Sequence, residues 1–250
     1  MTFARHLRDL LAAVGIVASA PAAWAQSSFA LEMRTLHWQY HAHPARLDAA
    51  REGLEMVAEG TPHVEDLLAL AQVSFIWGDV RAVTTEQRLM AFYRGREAAR
   101  RALALEPRNA LAHFWLAVNT GRWGQTKGVL RSVLGLSTVR EAIQTSLRLD
   151  PTLTAAYAVA GYLFAEVPGL FGGDLERAEE MFRTGLRQDP RFTGMRVGLA
   201  KTLIKKGRID EARRELLAVL DEPTPSNPAD WVTRDLREAQ GILREIDGRS

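Results

Sequence analysis

The sequence predicts an all-α protein built from successive helical hairpins, and three observations support this prediction. Small or apolar residues recur at helical spacing, as Ala178, Phe182 and Leu186 do,. Prolines end such helices at similar offsets, because the residue before a proline disfavours the α conformation. These prolines are Pro62, Pro107, Pro151 and Pro190. No stretch alternates apolar and polar residues for long enough to favour a strand.

The bounds of the individual helices are predicted from these prolines and from the residues that cap helix N-termini. Asp174 follows the glycines and proline of residues 167–173, so it is the expected N-cap of the next helix,. The predicted helices span 44–59, 63–79, 84–106, 108–122, 138–149, 152–166, 174–189, 192–206, 209–221 and 228–246,. The last helix carries one apolar stripe and an otherwise polar surface, which is typical of the helix that caps an array.

The spacing of the helices indicates a repeat array. The pattern Ala178-x3-Phe182-x2-Gly185-Leu186-x3-Pro190 resembles the second helix of a tetratricopeptide repeat,. Successive proline stops are 45, 44 and 39 residues apart, against about 34 in a standard repeat. We therefore predict a tetratricopeptide-like helical-hairpin solenoid with enlarged early repeats and a C-terminal capping helix. The extra residues are expected in loops at 78–85, 121–138 and 167–174, whose apolar residues should pack into a cavity or against a partner.

The N-terminal residues read as an export signal. Arg5 and Arg8 precede the apolar run 10–20, and Ala23-Trp24-Ala25 supplies a cleavage site, so we expect cleavage near Ala25 and a periplasmic mature protein,. The alternative is an uncleaved N-terminal helix. The predicted organisation is a signal peptide at 1–25, a mature N-terminal segment at 26–43, the repeat array at 44–224 and the capping helix at 225–250.

Composition excludes several kinds of chemistry and of partner. The chain has no cysteine, which excludes disulfides, thiolate metal sites and the lipid-acceptor cysteine of a lipoprotein. Without the charged residues of the leader, 30 of the 32 basic and 29 of the 30 acidic residues remain. This balance gives no field that would attract nucleic acid, and no later apolar run predicts stable membrane insertion.

One helical stripe is the most interesting candidate binding surface. Trp115, Asn119, Arg122 and Trp123 share a face, and indole, amide and guanidinium groups together can stack on and hydrogen-bond a peptide or an organic anion,. The alternative is that the tryptophans are core residues and that Arg122 interacts with the helix C-terminus. The full set of candidates for a concave binding face is Tyr93, Arg94, His113, Trp115, Asn119, Arg122, Trp123 and Phe171.

The other polar groups do not predict catalysis, a metal or a cofactor. His37, His41 and His43 have a spacing that could bind metal, but no nearby carboxylate completes a hydrolytic site,. Nucleophile and phosphate-loop motifs are absent, and the carboxylates lie in helix-surface patterns. Gly172 and Gly173 before a helix favour a tight turn over an anion site. We therefore expect that the protein is not an enzyme.

Three stretches carry a family resemblance. They are FYRGREAARRALALEPRNALAHFWLAVNTGRW from Phe92, STVREAIQTSLRLDP from Ser137 and VPGLFGGDLERAEEMFRTGLRQDP from Val167. Over residues 45–222 the chain resembles the T-component proteins of TRAP transporters, exported proteins of tetratricopeptide-like hairpins. The resemblance implies a periplasmic solute-binding protein as partner and a possible homo-oligomer. Some members are lipoproteins, and this chain departs from them because it lacks the cysteine.

These observations lead to one functional hypothesis and one alternative. The hypothesis is a non-catalytic exported protein-binding module, the accessory partner of a periplasmic solute-binding protein in TRAP-type solute uptake. The alternative is a general cell-envelope scaffold that gathers assembly or secretion proteins.

Overall fold

The computed structural model describes residues 26–248, without the side chains of residues 129–134. Ten helices precede the C-terminal one in this part of the chain. They are α1 (Ser28–Gln39), α2 (Arg46–Glu59), α3 (Val64–Val80), α4 (Thr85–Leu105), α5 (Ala110–Lys127), α6 (Val129–Leu149), α7 (Thr154–Glu166), α8 (Leu175–Gln188), α9 (Thr193–Lys205) and α10 (Ile209–Leu220). The C-terminal helix, α11, joins Pro228–Asp230, the π turn Trp231–Asp235 and Leu236–Asp247. The expected export signal lies outside the described residues.

The helices pair as the sequence predicts. Hairpins α3/α4, α5/α6, α7/α8 and α9/α10 stack in chain order, and α11 packs on α10. Helices α2, α4, α6, α8 and α10 each end two or three residues before a proline. The all-α solenoid is thus confirmed, and the described residues contain no strand.

Close contacts between aromatic rings and glycines set the distance between neighbouring helices. The buried ring of Phe182 on α8 lies against Gly161 of α7 and Gly198 of α9, where an added Cβ would come within 2.6 Å of the ring. Phe92 of α4 contacts Gly78 of α3 in the same way. A side chain at these glycines would force the helices apart, because cores packed to this density do not absorb extra atoms.

The tight turn before α8 forms as its glycines predict. Gly172 is left-handed at φ 90°, and a Cβ on Gly173 would collide with the Val167 carbonyl oxygen. Asp174 caps α8 by accepting hydrogen bonds from the Glu176 and Arg177 amides at 2.9 and 3.1 Å. The apolar side chains of this loop do not pack into a cavity, however, since Leu170 is 89% exposed.

The prediction of a loop at residues 121–138 is wrong. Helix α5 continues through Gly121 and Gly124 to Lys127, and α6 begins at Val129. Only Gly128, at φ 104°, interrupts the helical backbone. A glycine within a helix costs only about 1 kcal/mol relative to alanine, so packing between α5 and α6 outweighs it. The second repeat is therefore enlarged by longer helices.

An ion-pair network fastens α8 to the turn between α9 and α10. The nearly buried Glu179 carboxylate accepts hydrogen bonds from Lys206 at 2.6 Å, Arg208 at 2.7 Å and Arg183 at 2.8 Å. Burial raises the pKa of Glu179, but the three cations together outweigh burial and lower that pKa to about 2. The carboxylate therefore stays ionised and holds the last two hairpins together.

We expect Gly198→Ala to lower the free energy of unfolding by about 1–3 kcal/mol, because the new methyl overlaps the Phe182 ring,. Gly241→Ala in α11 is the matched control. Apart from its chain neighbours and the backbone of its own helix, no described atom lies within 4 Å of a Cβ at that position, so alanine should stabilise the protein by about 0.5–1 kcal/mol through helix propensity. Urea unfolding measures both variants. Equal effects would contradict the proposed spacing role of Gly198.

We expect Glu179→Gln to lower the free energy of unfolding at pH 7 by about 2–4 kcal/mol, because three cations lose their shared partner. The stabilisation by ionised Glu179 is complete above its ordinary pKa of 4.5 and is lost as the pH falls toward 2,. The wild type and the variant should therefore converge in stability over that interval. Urea unfolding of both proteins at pH values from 7 to 2.5 measures this difference in the free energy of unfolding.

Glu180→Gln is the control, since Glu180 is an exposed neighbour on the same helix. It should leave the pH profile unchanged. A Glu179→Gln deficit that persists undiminished at pH 2.5 would contradict the role of the carboxylate charge.

Candidate functional site

A cavity of about 320 Å³ lies between α1, α3 and α5. Its lining combines apolar residues with charged and amide side chains. The lining residues are Gln26, Ala30, Met33, Arg34, His37, Glu65, Leu68, Ala69, Gln72, Leu111 and Trp115. Helices α3 and α5 are the first helices of their hairpins, so the cavity lies on the side of the array where those first helices follow one another.

The start of α1 is fixed to α3 through a buried carboxylate. Asp66 is almost fully buried and accepts the Ser27 amide at 2.7 Å and the His63 amide at 3.1 Å. One carboxylate thus completes the capping box of α3 and anchors the residue before α1,. The Ser27 hydroxyl in turn caps α1 by accepting the Ala30 amide at 3.2 Å.

The other end of α1 is fixed to the C-terminal helix. The Tyr40 hydroxyl lies 2.7 Å from the Asp230 carboxylate and 3.2 Å from the Thr233 hydroxyl. Burial, followed by the charge of Asp230, raises the pKa of Tyr40, so the phenol keeps its proton and donates it to Asp230. Ala229 is fully buried in the core cluster of the N-terminal helices. The first and last described helices therefore meet.

The cavity has an apolar floor. Met33 is 1% exposed, Leu68 is 4% exposed and Trp115 is 8% exposed. The Trp115 ring is held by Phe114 and Phe75, with ring centroids 4.8 and 5.9 Å away. Aromatic neighbours at these distances fix the indole in place. The floor of the cavity is therefore apolar and held in place by its neighbours.

The rim of the cavity is polar. The Arg34 guanidinium donates to the Gln26 side-chain oxygen at 3.1 Å, and His37 Nδ1 lies 2.8 Å from the Met33 carbonyl. Within residues 26–248, the side chains of Glu65 and Gln72 make no hydrogen bond, and Arg34 has no carboxylate within 4.0 Å. These groups are free to bind a polar ligand atom.

Two of the sequence-predicted residues belong to the core. Asn119 is fully buried, and its amide donates to the carbonyls of Ala71 at 3.1 Å and Trp115 at 3.0 Å. It packs directly over Gly95 of α4, where a Cβ would lie 2.2 Å from the amide oxygen. The structure corrects the expected exposed position of Asn119. Trp115 is also buried, although its edge lines the cavity.

Three further candidates lie along the contact of α4 with α5. Trp123 has the Arg96 guanidinium and the Lys127 ammonium each 4.8 Å from its ring centroid. Arg96 also lies 5.1 Å from the exposed ring of Tyr93. Arg122 is directed to α3, where it pairs with Asp79. These side chains form a partly exposed surface separate from the cavity.

The remaining candidates are scattered. Arg94 makes a long 3.7 Å ion pair with Glu55, and His113 Nε2 lies 3.0 Å from the Pro107 carbonyl. Phe171 is partly exposed in the turn between α7 and α8, where its carbonyl accepts from Arg140 at 2.9 Å. The eight predicted residues do not line one cavity, and a binding role for them stays a prediction.

Sequence reasoning missed the contribution of α1 to the site. The segment 26–43 has a helix signal, since Ser27 is a good N-cap and Ala30, Met33 and Leu36 follow at helical spacing,. That spacing was the available evidence for a further helix. Nothing in the sequence indicates that Tyr40 meets Asp230, because 190 residues separate them.

Residues 26–248 contain no cluster of three or more histidine, aspartate or glutamate side chains arranged to hold a metal ion. None of the helices in that range has the length and the apolar character needed to cross a bilayer.

The model of one protein family matches residues 31–245, and that family is described as Regulator of microtubule dynamics protein 1-3. The match covers all the described helices except the first residues of α1 and the last residues of α11. No curated protein sequence matches the chain. The comparisons do not confirm the resemblance to the TRAP transporter T-component family.

Solved structures share the fold. A thermophilic tetratricopeptide repeat protein of Thermus thermophilus aligns with a TM-score of 0.61 and 19% identity, over 86% of this chain and 99% of that one. Residues 41 to the end of MamA from Desulfovibrio magneticus RS-1 align with a TM-score of 0.49 and 17% identity, over 79% and 96% of the two chains. The first of these likenesses supports the tetratricopeptide-like architecture.

We expect Tyr40→Phe to lower the free energy of unfolding by about 1–2 kcal/mol, because Asp230 loses its donor. Hydrogen exchange at the amides of α1 should accelerate more than exchange elsewhere, since one end of this helix is released. Tyr157→Phe is the control, because the Tyr157 hydroxyl bonds only the exposed Pro151 carbonyl among the described residues. Unchanged protection of α1 would contradict the proposed attachment.

Proposed function

The chain belongs to the Regulator of microtubule dynamics protein 1-3 family, and we propose that it is a non-catalytic protein-interaction module that holds a partner segment in the cavity beneath α1. The observation that carries this proposal is the lining of the cavity. An apolar floor of Met33, Leu68 and Trp115 is surrounded by polar side chains, two of which, Glu65 and Gln72, make no side-chain hydrogen bond within residues 26–248.

The lining matches an anchoring side chain with polar groups around it. Binding energy at protein interfaces concentrates in a few apolar or aromatic side chains that fill desolvated pockets, while polar contacts at the rim fix orientation. A cavity of about 320 Å³ is at the small end of ligand sites, which suits one side chain of a partner better than a large cofactor. Arg34, Glu65 and Gln72 can then bond the adjacent backbone or polar side chains.

Among the described residues, the acidic side chains with strongly shifted pKa values have contacts that indicate a structural role. Catalytic acids and bases combine a shifted pKa with a cleft. Glu179 instead joins α8 to the turn before α10. Asp235, whose pKa is raised by burial despite the charge of Arg234, accepts a 2.7 Å hydrogen bond from Thr193 of α9. Neither residue lines the cavity.

Three kinds of partner are candidates. The signal sequence expected at 1–25 and the resemblance to TRAP T-components favour a periplasmic solute-binding protein. A general envelope scaffold is the alternative. The name of the matching family favours a third candidate, a microtubule-associated partner, which co-sedimentation with polymerised tubulin would test directly.

We expect Gln72→Trp to abolish capture of the partner, because an indole at the rim blocks the cavity without changing the floor. The measurement is affinity capture with residues 26–250 as bait, from an extract of the native host, followed by quantitative mass spectrometry. A single solute-binding protein retained in stoichiometric amount would support the uptake hypothesis. A set of assembly proteins would support the scaffold.

Gln144→Trp is the matched control. Gln144 is an exposed glutamine on α6 and does not line the cavity, so this variant should retain the partner. Circular dichroism and urea unfolding verify that both variants fold. Full capture by a folded Gln72→Trp protein would contradict the proposed site. Loss after Arg122→Ala with Trp123→Ala instead would place the site on the α4/α5 surface.

A further inference from the structure

One tryptophan at the contact of α4 with α5 has two cations over its ring. The Arg96 guanidinium and the Lys127 ammonium each lie 4.8 Å from the centroid of the Trp123 ring, and Arg96 also lies 5.1 Å from the Tyr93 ring. Cation–π contacts attract both charges to the rings. Because two like charges held at one indole repel each other, an anion that contacts both of them would relieve that repulsion.

Arg96 has unused donors although the fold removes most of its side chain from water. That side chain is 15% exposed, and its hydrogen bond from Nε to the Glu97 carboxylate is long, at 3.4 Å. Arg100 donates to the same Glu97 oxygen at 2.8 Å. Among residues 26–248, Nη1 and Nη2 of Arg96 donate no hydrogen bond. Such burial without acceptors is costly, and a carboxylate is the acceptor that fits this planar pair of donors in a bidentate way.

The groups beside Arg96 are also donors without acceptors. In the part of the chain that the structure describes, the Trp123 indole N–H donates no hydrogen bond, and Lys127 has no carboxylate within 4.0 Å. Guanidinium, ammonium and indole N–H groups can donate hydrogen bonds but cannot accept them. A ligand that bonds all three must therefore supply acceptors alone, as an ionised carboxylate does.

We propose that Arg96, Trp123 and Lys127 form a second interaction site, which binds the carboxylate of an acidic side chain on a partner polypeptide. The composition of the site favours a polypeptide, because tryptophan, tyrosine and arginine are the residues that most often carry binding energy at protein interfaces. Tyr93 is 44% exposed, so its ring can contact the residue next to the acid. None of these four side chains lines the cavity beneath α1, so the second site is independent of the function proposed for that cavity.

The indole N–H signal of Trp123 in nitrogen–proton NMR spectra reports directly on this site. The protein is residues 26–250, which contain every described helix, and the signal is identified by its loss in Trp123→Phe. The probe is a capped peptide of alternating glycine and glutamate, and the control peptide has glutamine in place of glutamate. We expect the signal to shift to saturation with the glutamate peptide and to stay unchanged with the glutamine peptide, because only the first carries ionised carboxylates.

Lys127→Gln should weaken binding of the glutamate peptide about tenfold, because a charge-assisted hydrogen bond is lost. Arg214→Gln on α10 is the matched control, since Arg214 is also exposed and its loss changes the net charge equally. This control should bind the peptide like the wild type. Arg96→Lys keeps the charge but loses the planar pair of donors, so it should also weaken binding, and circular dichroism verifies that this variant folds.

Three results would overturn the proposal. They are a Trp123 signal that the glutamate peptide does not shift, equal binding of the two peptides, and equal losses of affinity in Lys127→Gln and Arg214→Gln. Glutarate, a free dicarboxylate, is the last probe. Binding of glutarate as tight as that of the glutamate peptide would overturn the assignment of a polypeptide ligand, because the site would then need nothing beyond the carboxylate.

Discussion

The attachment of α1 at both of its ends shapes the molecule around the candidate site. At one end the Ser27 amide bonds the buried Asp66, and at the other the Tyr40 hydroxyl bonds Asp230 of the C-terminal helix. A helix held at two points stays beside α3 and α5 at a fixed distance. The cavity is the space left between these three helices, so its shape depends on contacts that lie outside it.

The repeats provide the frame on which this attachment acts. Aromatic rings packed against glycines, such as Phe182 against Gly161 and Gly198, fix the separation of successive helices. Because each repeat contacts mainly its neighbours, small errors in spacing would accumulate from α3 to α11. The N- and C-terminal helices meet only if that spacing is kept. Packing within the repeats and closure between Tyr40 and Asp230 are thus coupled.

Local signals were sufficient to predict much of the fold from sequence. Prolines and the cap at Asp174 located helix ends to within a few residues, because these effects act through neighbouring backbone atoms. They failed for residues 121–138, where contacts between α5 and α6 keep Gly121 and Gly124 helical. The site was less predictable still. Trp115 was among the predicted candidates and lines the cavity, and its binding role stays a prediction. The position of α1 and the pairing of Tyr40 with Asp230 depend on contacts distant in sequence.

Methionine methyl NMR of residues 26–250 tests the central claim most directly. Met33 lies in the floor of the cavity, whereas Met56 and Met90 are exposed on α2 and α4 and Met195 is buried near the other end of the array. During titration with the captured partner, the account predicts a large shift of the Met33 methyl and little change of the other three. Binding that shifts Met56 or Met90 and leaves Met33 unchanged would contradict it.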